Sequence, residues 1–197
     1  MSDLSAPGEQ LWRFLERNQR VLVITGAGCS TPSGIGDYRD SQGEWKRAAP
    51  VQMQEFVASE AMRQRYWARS MHGWPSFRRA QPNPAHAALA ELERCGVIDG
   101  LITQNVDGLH QRAGQRAVIE LHGSLQWVVC LNCSARTSRA DLQTWLEARN
   151  GFVLEASASL APDGDADLVA EDLSGFRVPV CSSCGGILAA AISRPDL

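Results

Sequence analysis

Gln104, Asn105, Asp107 and His122 are the residues whose types and spacing can do chemistry in this 197-residue chain. They fall within Thr103 to Gly123, TQNVDGLHQRAGQRAVIELHG, just past two short apolar runs. Amide and carboxylate groups placed together can fix a carboxamide or orient a water. An imidazole with an ordinary pKa of about 6.5 can accept a proton at neutral pH. Gly123, directly after the imidazole, lets a substrate backbone come close. The plain alternative has Asp107 capping a helix over Gly108 to Ala113 and His122 satisfied in the core. Each residue alone favours that alternative, whereas the set, at consecutive strand ends, favours a site.

Four cysteines form a second constellation. Cys130-Leu-Asn-Cys133 and Cys181-Ser-Ser-Cys184 can each present two thiolates from a tight knuckle, and four thiolates make the closed tetrahedral shell of a structural zinc. Redox dithiols are the competing reading. The separation of the pairs, residues 134 to 180, exceeds that of a compact ribbon. Cys29 and Cys95 stand alone, with Cys95 expected in the core.

These groups need elements to hold them. Leu101 to Thr103 reads as a buried strand ending at Gln104-Asn105, and Val118 to Leu121 as another ending at His122. Val21 to Ile24 reads as a first strand, buried on both faces. It opens into a Gly-rich turn, Thr25 to Gly34, whose bare backbone suits a phosphate. The spacing of Gly26, Gly28 and Gly34 is G-x-G-x5-G, so a dehydrogenase-type G-x-G-x-x-G is absent. Helices are expected over residues 9 to 18, with Leu11, Phe14 and Leu15 on one face, and over 52 to 80, with a solvated arginine face. Asn83-Pro84 caps a third, stopped by Gly96, and Ser138 caps a fourth over Arg139 to Arg149. Residues 36 to 50 read as a long lid-like loop, and 155 to 172 as a solvated acidic loop whose DGDAD lacks the glycine and closing glutamate of a calcium loop. Strands alternating with helices predict an α/β fold with a parallel sheet and a strand, Leu125 to Val129, delivering Cys130.

A net charge of -3 argues against nucleic acid as the main partner. No apolar run approaches the roughly 18 residues of a membrane span, and the first twenty residues carry Asp3, Glu9 and Glu16 rather than a leader. A cytoplasmic location without membrane contact is expected.

Taken in order, TGAGCSTPSGIGDYR, TQNVDGLH, ELHGS and the two C-x-x-C pairs resemble the sirtuins, NAD-dependent protein-lysine deacylases. QRYWAR, GWP, QPNPAH and LAPDGD are similar to the class II branch, which includes the sirtuin-4 type and bacterial relatives. The resemblance implies a Rossmann-like domain with a small zinc-binding module: residues 1–124 as the N-terminal part of the NAD-binding domain, 125–188 as the module, and 189–197 as a truncated or aberrant tail. It implies that Gly26, Ala27 and Gly28 face the NAD phosphates and that Asp37, Tyr38 and Arg39 belong to a cofactor loop. Gln104, Asn105 and Asp107 would hold the nicotinamide and its ribose, and His122 would be the general base. Cys130, Cys133, Cys181 and Cys184 would ligate one structural zinc. The implied reaction consumes NAD and an acylated lysine of a protein and yields nicotinamide, lysine and O-acyl-ADP-ribose. Two departures stand out: Gly36 replaces a proline, and the sequence after Cys184-Gly-Gly leaves the family pattern, so the sheet is expected to be incomplete at the C-terminus, with NAD binding and activity impaired. A non-catalytic zinc-stabilised binding module and mono-ADP-ribosyl transfer are the alternatives.

Overall fold

The computed structural model describes residues 6–18, 20–36, 52–155, 158–160, 166–168 and 173–192. Helix α1 (Ala6–Arg17) leads into strand β1 (Val21–Thr25), and helices α2 (Met53–Ala58), α3 (Glu60–Arg79) and α4 (Pro84–Arg94) return the chain to β2 (Ile98–Thr103). A single-turn α5 (Leu109–Arg112) separates β2 from β3 (Val118–Glu120). Then follow β4 (Gly123–Cys130), β5 (Arg136–Ser138), α6 (Arg139–Asn150), the hairpin β6 (Ala158–Leu160) and β7 (Ala166–Leu168), and β8 (Leu188–Ile192).

Strands β1, β2 and β3 form a parallel sheet in that order, as the strand-helix alternation predicts. Thr25 pairs with Thr103 and Thr103 with Glu120, so the three strands end level with one another. That alignment delivers the turn after β1 and the polar segments after β2 and β3 to one edge. The expectation that β1 is buried on both faces does not hold. Leu22 and Ile24 are 58% and 67% exposed, and Ile119 and Leu121 are exposed as well, because nothing among the described residues covers that side of the sheet. Leu11 and Phe14, on the predicted apolar face of α1, are likewise open to solvent.

The second sheet is antiparallel, in the order β5-β4-β8, and carries the cysteine knuckles. Its residues Val128, Cys130 and Leu188 join Leu142, Leu146, Val153, Phe176 and Cys181 in a core closed from the other side by Trp67, Ala68 and Met71 of α3. The stretch read as one helix over 52 to 80 is therefore two. Ser59 interrupts it and caps α3, its hydroxyl accepting from Met62 N at 3.3 Å. The arginine-rich look of α3 hides an inner stripe, Trp67, Met71 and Trp74, at the helical spacing of four and three. Arg139 is buried under this stripe. Its guanidinium lies 4.8 Å from the Trp74 ring and donates to Gln143 Oε1 at 2.8 Å and to Ser70 O at 3.0 Å. Cys95 corrects another expectation: it is the exposed C-cap of α4, where Gly96 at φ 72 turns the chain away before the thiol can reach the core.

Candidate active site

The Gly-rich turn forms two short 3-10 segments, Ala27–Cys29 and Thr31–Ser33, and Gly34 closes the second at φ 83. A Cβ built on Gly26 or Gly28 would meet nothing within 4 Å, so the turn presents open backbone, as a phosphate seat requires. Asp37, Tyr38 and Arg39, expected in the cofactor loop, lie outside the described residues.

The turn is held from below by the segment after β2. Asn105 Nδ2 donates to Gly26 O at 3.1 Å and to Ser30 Oγ at 3.0 Å, and the Ser30 hydroxyl in turn donates to Asp107 Oδ2 at 2.6 Å. All three side chains are buried, with Ser30 only 1% exposed. Asp107 also accepts from Leu109 N at 2.8 Å and so satisfies the first N–H of α5, as the plain reading of this residue expects. Gln104 is exposed, and its N–H donates to Thr25 O at 3.0 Å, which extends the β1–β2 ladder past the strand ends. Leu121 N does the same to Thr103 O at 2.8 Å, leaving His122 next in line at the sheet edge. His122 is exposed, so it is not a core histidine. Gly108, at φ 69 and with Gln126 Nε2 within 2.2 Å of where a Cβ would sit, lets the chain turn from Asp107 into α5 under β4.

The core histidines are two others, His86 and His110. His110 Nε2 lies 2.9 Å from Thr25 Oγ1, which contacts Thr103 Oγ1 at 2.9 Å. Burial, and then the neighbouring His86, push the His110 imidazole down to about 4. Burial likewise lowers His86, whose Nδ1 accepts from Asn83 N at 3.3 Å. Asn83, the cap of α4, reaches back to the turn and donates to Cys29 O at 2.8 Å and Ser33 Oγ at 2.9 Å. Sequence reasoning misses Ser30, His86 and His110. The signal for Ser30 is a hydroxyl placed after the Gly-rich turn, within reach of a strand-end carboxylate. Nothing in the sequence marks the two histidines as partners.

The four knuckle cysteines converge. Cys130 Sγ lies 3.5 Å from Cys184 Sγ, and Cys133 Sγ lies 3.7 Å from Cys181 Sγ. A tetrahedron with metal–sulfur bonds of ~2.3 Å has edges of ~3.8 Å, so the quartet fits zinc closely. Backbone N–H groups aim at the sulfurs, among them Asn132 N to Cys130 Sγ at 3.4 Å. Such donors at Ser183 and Cys184 lower the Cys181 thiol to about 6. For Cys184 the backbone donor at Gly186 is outweighed by the Cys133 and Cys130 thiols, which push it up to about 12. A dithiol pair alone would not bring both knuckles together, so the redox reading loses its ground.

Comparison with known proteins gives a consistent result. The Sir2 family model matches residues 26–193. An NAD-dependent protein deacetylase 2 of Bradyrhizobium diazoefficiens is 54% identical over 197 residues, all of this chain and 70% of its own length. An NAD-dependent protein deacetylase of Xanthomonas campestris pv. campestris is 52% identical over 194 residues, 98% of this chain and 64% of its own length. Among solved structures, a Sir2–p53 peptide–NAD+ complex is 30% identical with a TM-score of 0.69, covering 95% of this chain and 64% of that one. The chain thus spans about two thirds of the length of these relatives.

Proposed function

Starting from the fact that this chain belongs to the Sir2 family, the sirtuins, we propose that it carries the nicotinamide and phosphate side of an NAD-dependent protein-lysine deacetylase. The observation that carries this reading is the continuous chain from Gly26 O through Asn105 and Ser30 to Asp107, which fixes an open glycine turn against buried strand-end polar groups. Gly26, Ala27 and Gly28 receive the phosphates on bare backbone, and Asn105 and Asp107 set the height of that turn above the sheet. Gln104, exposed beside them, is free to meet the nicotinamide carboxamide. Bound NAD supplies an activated ribose carbon once nicotinamide leaves. His122, at the end of the third strand and open to solvent, takes the proton of a ribose hydroxyl. Asp37, Tyr38 and Arg39 belong to the same cofactor surface in this reading. The four-cysteine zinc has a closed shell and stays outside the chemistry.

The substrate class is an acylated lysine side chain of a protein, in line with the peptide complex among the structural relatives. Placement in the class II branch rests on QRYWAR, GWP, QPNPAH and LAPDGD. Four thiols poised for metal rather than disulfides suit the reducing cytoplasm, and no helix among the described residues is long and apolar enough to cross a membrane. The test is nicotinamide release from NAD with and without an acetylated peptide. Peptide-dependent release supports deacetylation. Release without peptide, accompanied by labelled protein, would replace it with ADP-ribosyl transfer, and no release at all with a non-catalytic module.

A further inference from the structure

We propose that Cys29, His86 and His110 form a second metal site, a three-donor pocket for zinc that ties the Gly-rich turn to α4 and α5 and is separate from the four-cysteine cluster. One donor atom of each residue lies within 4.8 Å of the other two. Cys29 Sγ is 4.0 Å from His86 Nε2, and the two imidazole rings are 4.7 Å apart, centre to centre. A tetrahedral zinc with bonds of ~2.3 Å to sulfur and ~2.0 Å to nitrogen needs donor separations of ~3.5 Å. The pocket therefore closes by about 0.5 to 1.3 Å on loading, from separations of 4.0 Å and up to 4.8 Å.

The hydrogen bonds leave the required lone pair on His110. With the Thr25 hydroxyl donating to Thr103 Oγ1, Thr25 Oγ1 accepts the His110 Nε2 proton. The lone pair then sits on Nδ1, which is buried and has no hydrogen-bond partner among the described residues. His110 is 1% exposed and His86 is fully buried, so an unpaired imidazole nitrogen here is a standing penalty that a cation would relieve. Cys29 is half-buried and supplies the route in from the turn. On binding, the Cys29 thiol gives its proton to solvent. His86 moves its proton from Nε2 to Nδ1, giving up the long contact with Asn83 N. One thiolate with two imidazoles selects a borderline-soft ion such as zinc over magnesium or calcium, and a water completes the shell.

The test begins with the full chain carrying one zinc in the four-cysteine site. Further Zn2+ is titrated calorimetrically, and Co2+ is added in parallel to read a thiolate-to-cobalt absorption. The expected result is a second equivalent in the wild type that raises its Tm. In Cys29→Ser, checked for intact fold by circular dichroism, affinity for that equivalent should fall by more than ~100-fold, since even losing a ligand's outer partner costs ~10–100-fold. Cys95→Ser, which removes the other thiol outside the four-cysteine cluster, should bind like the wild type. Failure of the wild type to take a second equivalent would overturn the site. So would a Cys29→Ser protein that takes it up with wild-type affinity, or its loss in Cys95→Ser instead.

Discussion

Lowering the pH should weaken the fold above the range in which its carboxylates titrate, through the two buried histidines. In the folded chain His110 is held down at about 4 by burial and by His86, against 6.5 for an unperturbed imidazole. A depressed imidazole pKa means that the unfolded chain binds the proton first, so stability is full above pH 6.5 and is lost as pH falls from 6.5 toward 4. Between about pH 7.5 and about pH 5 the linkage integral for His110 comes to about 2 kcal/mol. Solvent reaching the half-exposed Cys29 beside it screens part of this, so the expected loss is about 1–2 kcal/mol, and His86 adds in the same direction. Glu91 and Glu93, held below the ordinary carboxylate value by Arg94 and by the Arg116 N–H respectively, lose stability only below that window. Burial raises Glu120, which acts in the opposite sense, its folded form protonating first. The assay is urea unfolding across that window at one equivalent of zinc, with His110→Gln alongside, since the glutamine amide keeps an N–H for Thr25 Oγ1. The wild type should lose stability more steeply than the variant as pH falls. Parallel lines for the two proteins would show that His110 binds protons equally in both states, and the argument from burial would fail.

His122→Ala should reduce deacetylation by about 10²- to 10⁴-fold, as for loss of a general base, with zinc content and circular dichroism unchanged; near-normal turnover would remove the residue from that role. Ser30→Ala deprives Asp107 Oδ2 and Asn105 Nδ2 of their shared partner, and should lower stability by about 1–3 kcal/mol and NAD affinity along with it. Equal affinity by calorimetric NAD titration would show that the network does not position the turn. Cys184→Ser should release the four-cysteine zinc, read by metal analysis after gel filtration, and melt the surrounding module; full zinc retention would mean that the ligands are other groups. Arg139→Ala strips the Trp74 face and takes the buried guanidinium donor away from Gln143 Oε1 and the Ser70 hydroxyl, so a loss of about 2–4 kcal/mol in urea unfolding is expected, with a change under about 0.5 kcal/mol counting against a structural role.

The site is legible in the sequence to the extent that it follows from strand ends. Asn105 and Asp107 stand just past an apolar run, and a parallel sheet places such residues at its ligand edge whatever the rest of the chain does. The cysteine knuckles are legible because sulfur spacing is local, and the α4 cap because Asn83-Pro84 is a signal confined to two residues. What escapes is whatever depends on a partner distant in sequence. His86 and His110 each look like one polar residue in a short helical pattern, and only the return of α4 over α5 brings their rings together. Arg139 looks like a solvated first-turn charge until α3 lays two tryptophans over it. The exposed faces of Leu22 and Ile24 escape for a related reason: an unbroken apolar strand signals burial on both sides, yet whether either side is covered is decided by other segments.

Strand β4 begins one residue after His122 and ends on Cys130. Its pairing with β8 shifts register between Ser124 and Val128, so an irregular stretch of strand joins the candidate proton acceptor at one end to a candidate zinc ligand at the other. Cys133 and Cys181 are 48 positions apart, so the metal that joins them closes a long loop, a constraint of about 4 kcal/mol on the open chain if it acts like a covalent cross-link. A zinc at the knuckles would thus anchor the far end of the strand that follows the imidazole. Loss of such an ion would leave the parallel sheet its own hydrogen bonds, the Leu121 N to Thr103 O bond just before His122 included, and would free the cysteine end of β4 while the Asn105–Ser30–Asp107 contacts beneath the glycine turn stay in place.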